Sequence, residues 1–278
     1  MSIADQSART GRIIMENDAT INEADMMNGD GIHTHNYYIS VTRGLISGAS
    51  AFVSHGERTS SGAETEYPIW PDGEFSIPAD AGVQMSFVST SANDTSDGTG
   101  VRQVSVHYLD ANLAEQNETI TLNGLTTVLS VATNIRFIND LHAESVGSGL
   151  KAAGNITASN GGITYAQLST NFTRQSSSFK MIPVGKVLHL TNFVYGSISG
   201  AGNGKSIIKL VSNQLNGSQY RNPLILFPYI SNGFQNSCVS IKRDTFPTFS
   251  AGAVIGVVHT SDKAVTVTST LSGWLENA

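Results

Sequence analysis

Alternation of apolar and polar residues with a period of two runs through most of this chain, and it admits essentially one kind of fold. In residues 101–109, Val104, Val106 and Tyr108 fall on one side while Gln103, Ser105 and His107 fall on the other. Successive side chains of a strand point to opposite faces, so this pattern describes a strand with one face in a core and one in water. Asp110-Ala111-Asn112 supplies a turn, and residues 118–122 alternate again before stopping at Asn123-Gly124. Both residues of an Asn-Gly pair tolerate positive φ, which makes the pair a strong hairpin signal. Residues 125–131 then read as the returning strand, and residues 134–141 as one more. The spacing predicts a meander of short antiparallel strands that begins near Tyr37.

Residues 143–162 are rich in Gly, Ser and Ala and lack any period, which places a boundary near residue 148. Strands are expected again at 163–168, 187–195, 206–211, 224–227, 237–241, 253–258 and 264–270, with 271–275 adding an edge. Three segments echo one another: Phe75 to Phe87, Phe179 to Leu190 and Phe246 to Val257. In each, an apolar residue and a Pro precede a Gly turn that feeds a buried strand. Pro withholds a ladder donor and therefore suits a strand entrance. Helical signals are few. Thr20-Ile21-Asn22-Glu23 has capping-box spacing and Asn28-Gly29 a left-handed stop, so a short helix is expected over residues 21–27. The resulting expectation is an all-β chain: two antiparallel β-sandwich, jelly-roll-like domains at 37–148 and 149–278, behind an N-terminal arm, residues 1–36, that carries the short helix.

Composition narrows the class. The 278 residues are 40% hydrophobic, enough for a real core, but only 14% charged, against roughly 25% in soluble domains generally. Ser, Thr, Asn and Gly fill the polar positions, which suits a subunit packed among others. A net charge of −6 without a Lys/Arg cluster argues against nucleic acid as a partner. No apolar run approaches the roughly 20 residues of a membrane helix, and the start of the chain lacks a basic-then-apolar leader. The expectation is a chain that does not enter a membrane. Cys238 is the single cysteine and reads as a small apolar residue. The sequons at Asn93, Asn117, Asn155, Asn171 and Asn216 read as products of an Asn- and Thr-rich composition.

No nucleophile elbow, phosphate-binding loop, dinucleotide fingerprint or zinc motif is present. Three local features remain. Asn93-Asp94-Thr95-Ser96-Asp97-Gly98 is oxygen-rich enough for Ca²⁺, but it lacks the EF-hand spacing and its distal Glu, and Asx turns account for the same residues. Glu57, Glu64, Glu66, Asp72 and Glu74 bracket Trp70, and paired acids beside an aromatic ring suit glycoside hydrolysis. The plain alternative is solvated loop acids, with Trp70 and Trp274 as core or interface anchors. His33-Thr34-His35 places two imidazoles on one side of an extended chain. Three symmetry-related copies would supply six nitrogens to a metal, whereas a single arm carries only two surface histidines. No catalytic, cofactor-binding or metal site is assigned from these features.

The stretch Thr95-Ser-Asp-Gly-Thr-Gly-Val-Arg-Gln-Val-Ser-Val-His-Tyr-Leu-Asp, continuing to Glu118-Thr-Ile-Thr-Leu-Asn-Gly-Leu-Thr-Thr-Val, resembles a widespread family of tailed-bacteriophage virion structural proteins. In that family GTGxRxVxVxxLD precedes ExVxLNGxxxV. Ile69-Trp70-Pro-Asp-Gly, Gly154-Asn-Ile-Thr-Ala and Ile182-Pro-Val-Gly-Lys fit as flanks, and Val101 and Leu125 depart from its usual small or polar residues. The likeness covers roughly residues 40–278. It implies a non-enzymatic virion component assembled in the host cytoplasm in symmetric copies, a trimer being favoured, with other virion proteins as partners. A tail or fibre position is preferred over a capsid-attached one. The alternative is a lectin-like module that recognises a host-surface glycan, for which Tyr37, Tyr38, Trp70, Tyr220 and Tyr229 are the aromatics to watch.

Overall fold

A computed structural model describes residues 27–28, 31–32, 37–199, 205–214, 224–232, 237–242 and 248–278. The chain divides into two compact units, Met1–Ala51 and Phe52–Ala278. Among the described residues the fold is all-β with antiparallel pairing and a single short helix.

In the first unit, β1 (Met27–Asn28) pairs with β2 (Gly31–Ile32), Met27 opposite Ile32. Of the helix expected over residues 21–27, residues 21–26 lie outside the described residues, and Met27 belongs to a strand. The helix that is described, α1 (Tyr37–Thr42), stands where the strand period was expected to begin. It closes on Gly44 at φ 70°, whose amide donates to the Val41 carbonyl at 2.9 Å while the Leu45 amide donates to Ser40 at 2.9 Å. A left-handed glycine after the last turn satisfies carbonyls that the helix leaves free. Six residues are too few for a period of two to be told from one helical turn and a half, and Gly44 decides the matter.

Among the described residues the second unit contains four sheets. One orders β16 (Ser237–Lys242), β13 (Lys186–Ser199), β19 (Val265–Asn277) and β3 (Ala49–Thr59), with β17 (Thr248–Ser250) also on β13. A second orders β12 (Lys180–Met181), β18 (Ala253–Ser261), β14 (Lys205–Gln214) and β15 (Leu224–Asn232), with β4 (Glu64–Pro68) also on β18. These two share a core in which Phe193, Tyr195, Val267 and Leu271 meet Ile208, Leu210, Ile255 and Val257. The third sheet orders β11 (Ile163–Leu168), β10 (Ile156–Asn160), β5 (Ser86–Ser89) and β8 (Val128–Leu129), and the fourth β7 (Glu115–Thr121), β6 (Val101–Asp110) and β9 (Ile135–Val146). They share another core, where Phe87, Ile156 and Leu168 meet Val104, Val106, Tyr108, Ile120 and Leu141.

A third cluster joins the two, and β18 explains how. Its burial is almost continuous because both faces are covered. Ile255 and Val257 enter the first core, while Val254 and Val258 face Leu109, Phe137, Phe179 and Met181. Gly256 lies between Val254 and Val258, and a Cβ there would sit 2.3 Å from the Phe179 ring. The missing side chain is the space that the ring fills.

Several expectations change. The pair Asn123-Gly124 does turn, with Gly124 at φ 60°, but β8 does not return beside β7. It crosses to β5, pairing Phe87 with Val128, because Val128 packs on the second core from the opposite sheet. Residues 271–275 are no edge: they continue β19, which lies between β13 and β3. The stretch around residue 148 joins β9 to β10, and β10 pairs with β5, which precedes it in the chain. The Pro–Gly echo has a common geometry, since Gly82, Gly185 and Gly252 lie at φ 69°, 71° and 78°.

Candidate functional site

The loop considered for calcium is a knot of internal hydrogen bonds. Asp94 is fully buried, and its carboxylate accepts from Ser89 Oγ at 2.6 Å and from the amides of Val101, Ala153 and Gly154 at 2.7, 3.0 and 2.9 Å. Four donors occupy the two oxygens, which leaves little lone-pair capacity for an ion. The glycines of the motif exist for this packing. A Cβ on Gly100 would fall 2.1 Å from Asp94 Oδ1, one on Gly98 2.0 Å from the Asn93 carbonyl, and one on Gly147 2.2 Å from the Gly98 carbonyl. The Asn-Gly turn docks on the same loop, with the Gly124 amide donating to the Asp94 carbonyl at 2.8 Å and Ser89 to the Gly124 carbonyl at 3.0 Å. Three separated pieces of the sequence pattern therefore meet at one residue, the Val101 and Gly154 segments on the Asp94 carboxylate and the Asn-Gly turn on its backbone carbonyl.

The acids around Trp70 do not act as a group. Trp70 is buried, donates Nε1–H to the Gly73 carbonyl at 2.8 Å, and meets Phe75 edge-on at 5.5 Å. Glu64 takes Arg58 as a fork, Nε and Nη2 approaching its oxygens at 3.0 and 2.6 Å. Asp72 contributes only its carbonyl, to Arg58 Nη1 at 2.6 Å, and Glu66 pairs with Lys209. Fully buried His259 brings Nε2 to 2.7 Å from Glu64 Oε2, off the hydrogen-bond direction. Burial alone would raise the Glu64 carboxyl, but the hydrogen bonds and charge of Arg58, with His259, hold it below the usual range. Burial is also the largest influence on His259 and keeps its imidazole below the ordinary value against the pull of Glu64. The ring is therefore neutral at pH 7, and Arg58 is the counter-ion of Glu64.

The unfolded chain takes a proton on His259 near the ordinary value of 6.5, and the folded chain only at lower pH. Its contribution to stability is thus present above that value and lost as pH falls through it. Glu64 and Asp140, both held low, add a second loss below their ordinary values of 4.5 and 3.8. Urea midpoints measured from pH 7.5 to 2.5 should decline in two stages, and His259→Asn should flatten the first. An unchanged slope between pH 6.5 and 5 in that variant would refute the assignment.

A polar cluster that the sequence reading missed lies along β9 and the segment after β11. Asp140 accepts from Arg174 Nε and Nη2 at 2.7 and 3.0 Å and contacts His142 Nδ1 at 2.7 Å. Burial works to raise the Asp140 carboxyl, but Arg174, Lys180 and His142 together hold it low. Burial draws the Lys180 ammonium down to about 8 against the attraction of Asp140, and its Nζ donates to the Asn139 carbonyl. His107, opposite Asp140 in the β6–β9 register, stacks on His142 at 5.3 Å and contacts Ser105 Oγ at 3.2 Å. Ser, His and Asp are thus neighbours, but the two imidazoles meet face to face instead of exchanging a proton, so no nucleophile–base–acid relay is formed. The signal was available: Asp140 and His142 are two apart in a strand and share a face.

Trp274 stacks on His189 at 5.0 Å and 7°, and its Nε1 donates to Glu276 Oε2 at 3.2 Å. His33, His35, Tyr220 and Asn216 lie outside the described residues, as do the side chains of Tyr37, Tyr38, Tyr229 and Cys238. Among the described residues no three His, Cys, Asp or Glu side chains converge as metal ligands, and no helix is long and apolar enough to cross a membrane.

No family model and no curated protein matches this chain. Among solved structures it aligns with that of the infectious bursal disease virus Gx strain at 7% identity and a TM-score of 0.19, covering 82% of this chain and 71% of that one. The Gt strain gives 9%, 0.16, 84% and 78% for the same quantities. The VP2 subviral particle of the same virus gives 10%, 0.12, 84% and 81%. At TM-scores this low the alignments establish no common fold.

Proposed function

We propose that this chain is a non-enzymatic structural component of a tailed-phage virion, built as two β-sandwiches and making subunit contacts in a tail, fibre or capsid-attached position. In this reading the first and second sheets form one sandwich and the third and fourth the other. One observation carries the assembly role. Edge strand β8 and its flanks present Leu125, Leu129 and Val131 at 63%, 56% and 87% exposure. They are not a loose tail, since Glu118 accepts from the amides of Val131 and Ala132 at 2.6 and 3.2 Å. Exposed apolar side chains gathered on a held stretch of backbone mark a surface for contact with another chain. The resemblance to phage virion proteins, whose motif ends at Val128 beside this edge, adds to the reading. The lectin-like alternative has less support, because Trp70 is buried and Trp274 is stacked on His189.

The test has two parts. A Leu129→Lys/Val131→Asp variant should fold normally by circular dichroism yet fail to enter particles in a complementation assay. Deleting residues 1–36 should leave Phe52–Ala278 folded and likewise abolish incorporation. Normal packaging of the first variant would remove the edge as a contact, and normal packaging of the truncation would remove the arm as the anchor.

A further inference from the structure

Three turns of the second unit and the start of β9 border an open cleft of about 420 Å³, lined by Asp80, Ala111, Leu113, Arg136, Ala251, Gly252 and Ala253. Its walls are fixed by backbone bonds. The Leu113 carbonyl accepts from Val184 at 2.9 Å, and the Gly252 amide donates to Ile182 at 2.9 Å. The Asp110 carboxylate takes the Asn112 and Ala114 amides at 2.8 and 3.1 Å. The turn that carries Asp80 is pressed onto the start of β9, since a Cβ on Gly82 would meet the Asn134 backbone at 2.3 Å.

Within this frame sits a cation with too few partners. The Arg136 side chain is 2% exposed, and Nη2 reaches Asp80 Oδ1 at 2.6 Å. Nη1 is enclosed and has no hydrogen-bond partner. The Asp80 carboxylate is itself 81% exposed, so water weakens its hold on the guanidinium. A buried guanidinium with an idle donor favours a planar anion that can take both nitrogens of its fork. The remaining wall is small and apolar, and the volume is within the range of small-molecule sites.

We propose that this cavity binds a small organic carboxylate, anchored on Arg136, with its body against Leu113 and the Ala251–Ala253 turn. The bound carboxylate displaces the exposed Asp80 carboxylate from Nη2, and Nη1, enclosed while Asp80 is in place, becomes its second donor. The proposal does not depend on the assembly reading, since the cavity and the β8 edge use different residues.

Isothermal titration of the full chain tests it with four probes: propionate, glucuronate, propionamide and inorganic phosphate. Saturable binding of propionate or glucuronate is expected, with none of propionamide, which has the same shape without the charge. The tighter of the two acids identifies the source, a simple acyl acid or an acidic sugar. Asp80→Asn removes the competing carboxylate at an exposed position and should tighten binding about tenfold, equivalent to roughly 1.4 kcal/mol. Ala251→Phe fills the cavity from an exposed position and should abolish binding, as should Arg136→Gln once its fold is verified by circular dichroism. Absence of saturable binding by either acid, equal binding of propionamide or phosphate, or binding unaffected by Ala251→Phe would each overturn the proposal.

Discussion

Asp94→Ala is expected to lower the unfolding free energy by about 4 kcal/mol, the order set by several buried donors that lose their acceptor together. The substitution deletes the acceptor for three backbone amides and one hydroxyl in a place that water does not reach. Buried donors without partners are destabilising by about 1–3 kcal/mol each, less whatever local relaxation recovers. The damage should spread, because the same carboxylate ties the start of β6 to the loop before β10. Asp94→Asn tests the chemistry further. It keeps the shape but turns one acceptor into a donor facing other donors, so it should remain well below the parent chain. Urea denaturation followed by circular dichroism measures both variants. A loss under about 1 kcal/mol for Asp94→Ala would mean the loop is held by its backbone alone, and would reopen Asp94 as a side chain available to a ligand.

Trp70→Ala should be comparably severe, about 4 kcal/mol, as for other buried aromatics cut back to a methyl group. The indole meets Phe75 edge-on at 5.5 Å, and Phe75 stacks on Phe179 at 4.2 Å. Phe179 in turn fills the space left by Gly256. The three rings run in series from the segment after β4 to the cluster that joins the two larger cores, so the cavity left by the indole is not easily closed. Trp70→Phe should recover part of the loss by retaining an edge-on ring while forfeiting the Nε1 bond to Gly73. Should Trp70→Ala instead leave the urea midpoint unchanged, the indole would not be an anchor of this core.

Much of this chain was legible from its sequence because one rule, alternation, governs it. β6, β9, β11, β13, β14, β18 and β19 lie where their alternating or continuous apolar runs place them. In β19 the rule is obeyed almost residue by residue, Val265, Val267, Ser269 and Leu271 turning inward and Thr266, Thr268, Thr270 and Ser272 lying on the other, half-buried face. The Pro–Gly turns were equally readable, because positive φ is a local property that glycine permits without reference to the rest of the fold.

What alternation does not contain is a partner. It says that residues 125–131 have an apolar side but not which sheet receives it, and the tertiary structure sent Val128 to β5 across the core instead of back to β7. The same limit applies to polar groups. Asp94 beside Asn93, Ser96 and Asp97 has the composition of a cation loop, and only the approach of Val101, Ala153 and Gly154 reveals it as a clasp for distant backbone. Asp80 and Arg136 are 56 positions apart, and no local pattern links them. The sequence by itself determined which residues face inward, where the chain can reverse and which class of fold results, since these depend on side-chain period and local φ. Strand neighbours, the use made of each buried charge and the cavity at Arg136 were decided only when segments far apart in the chain were brought within hydrogen-bond distance. A pairing between residues tens of positions apart has no signature in either one's local sequence.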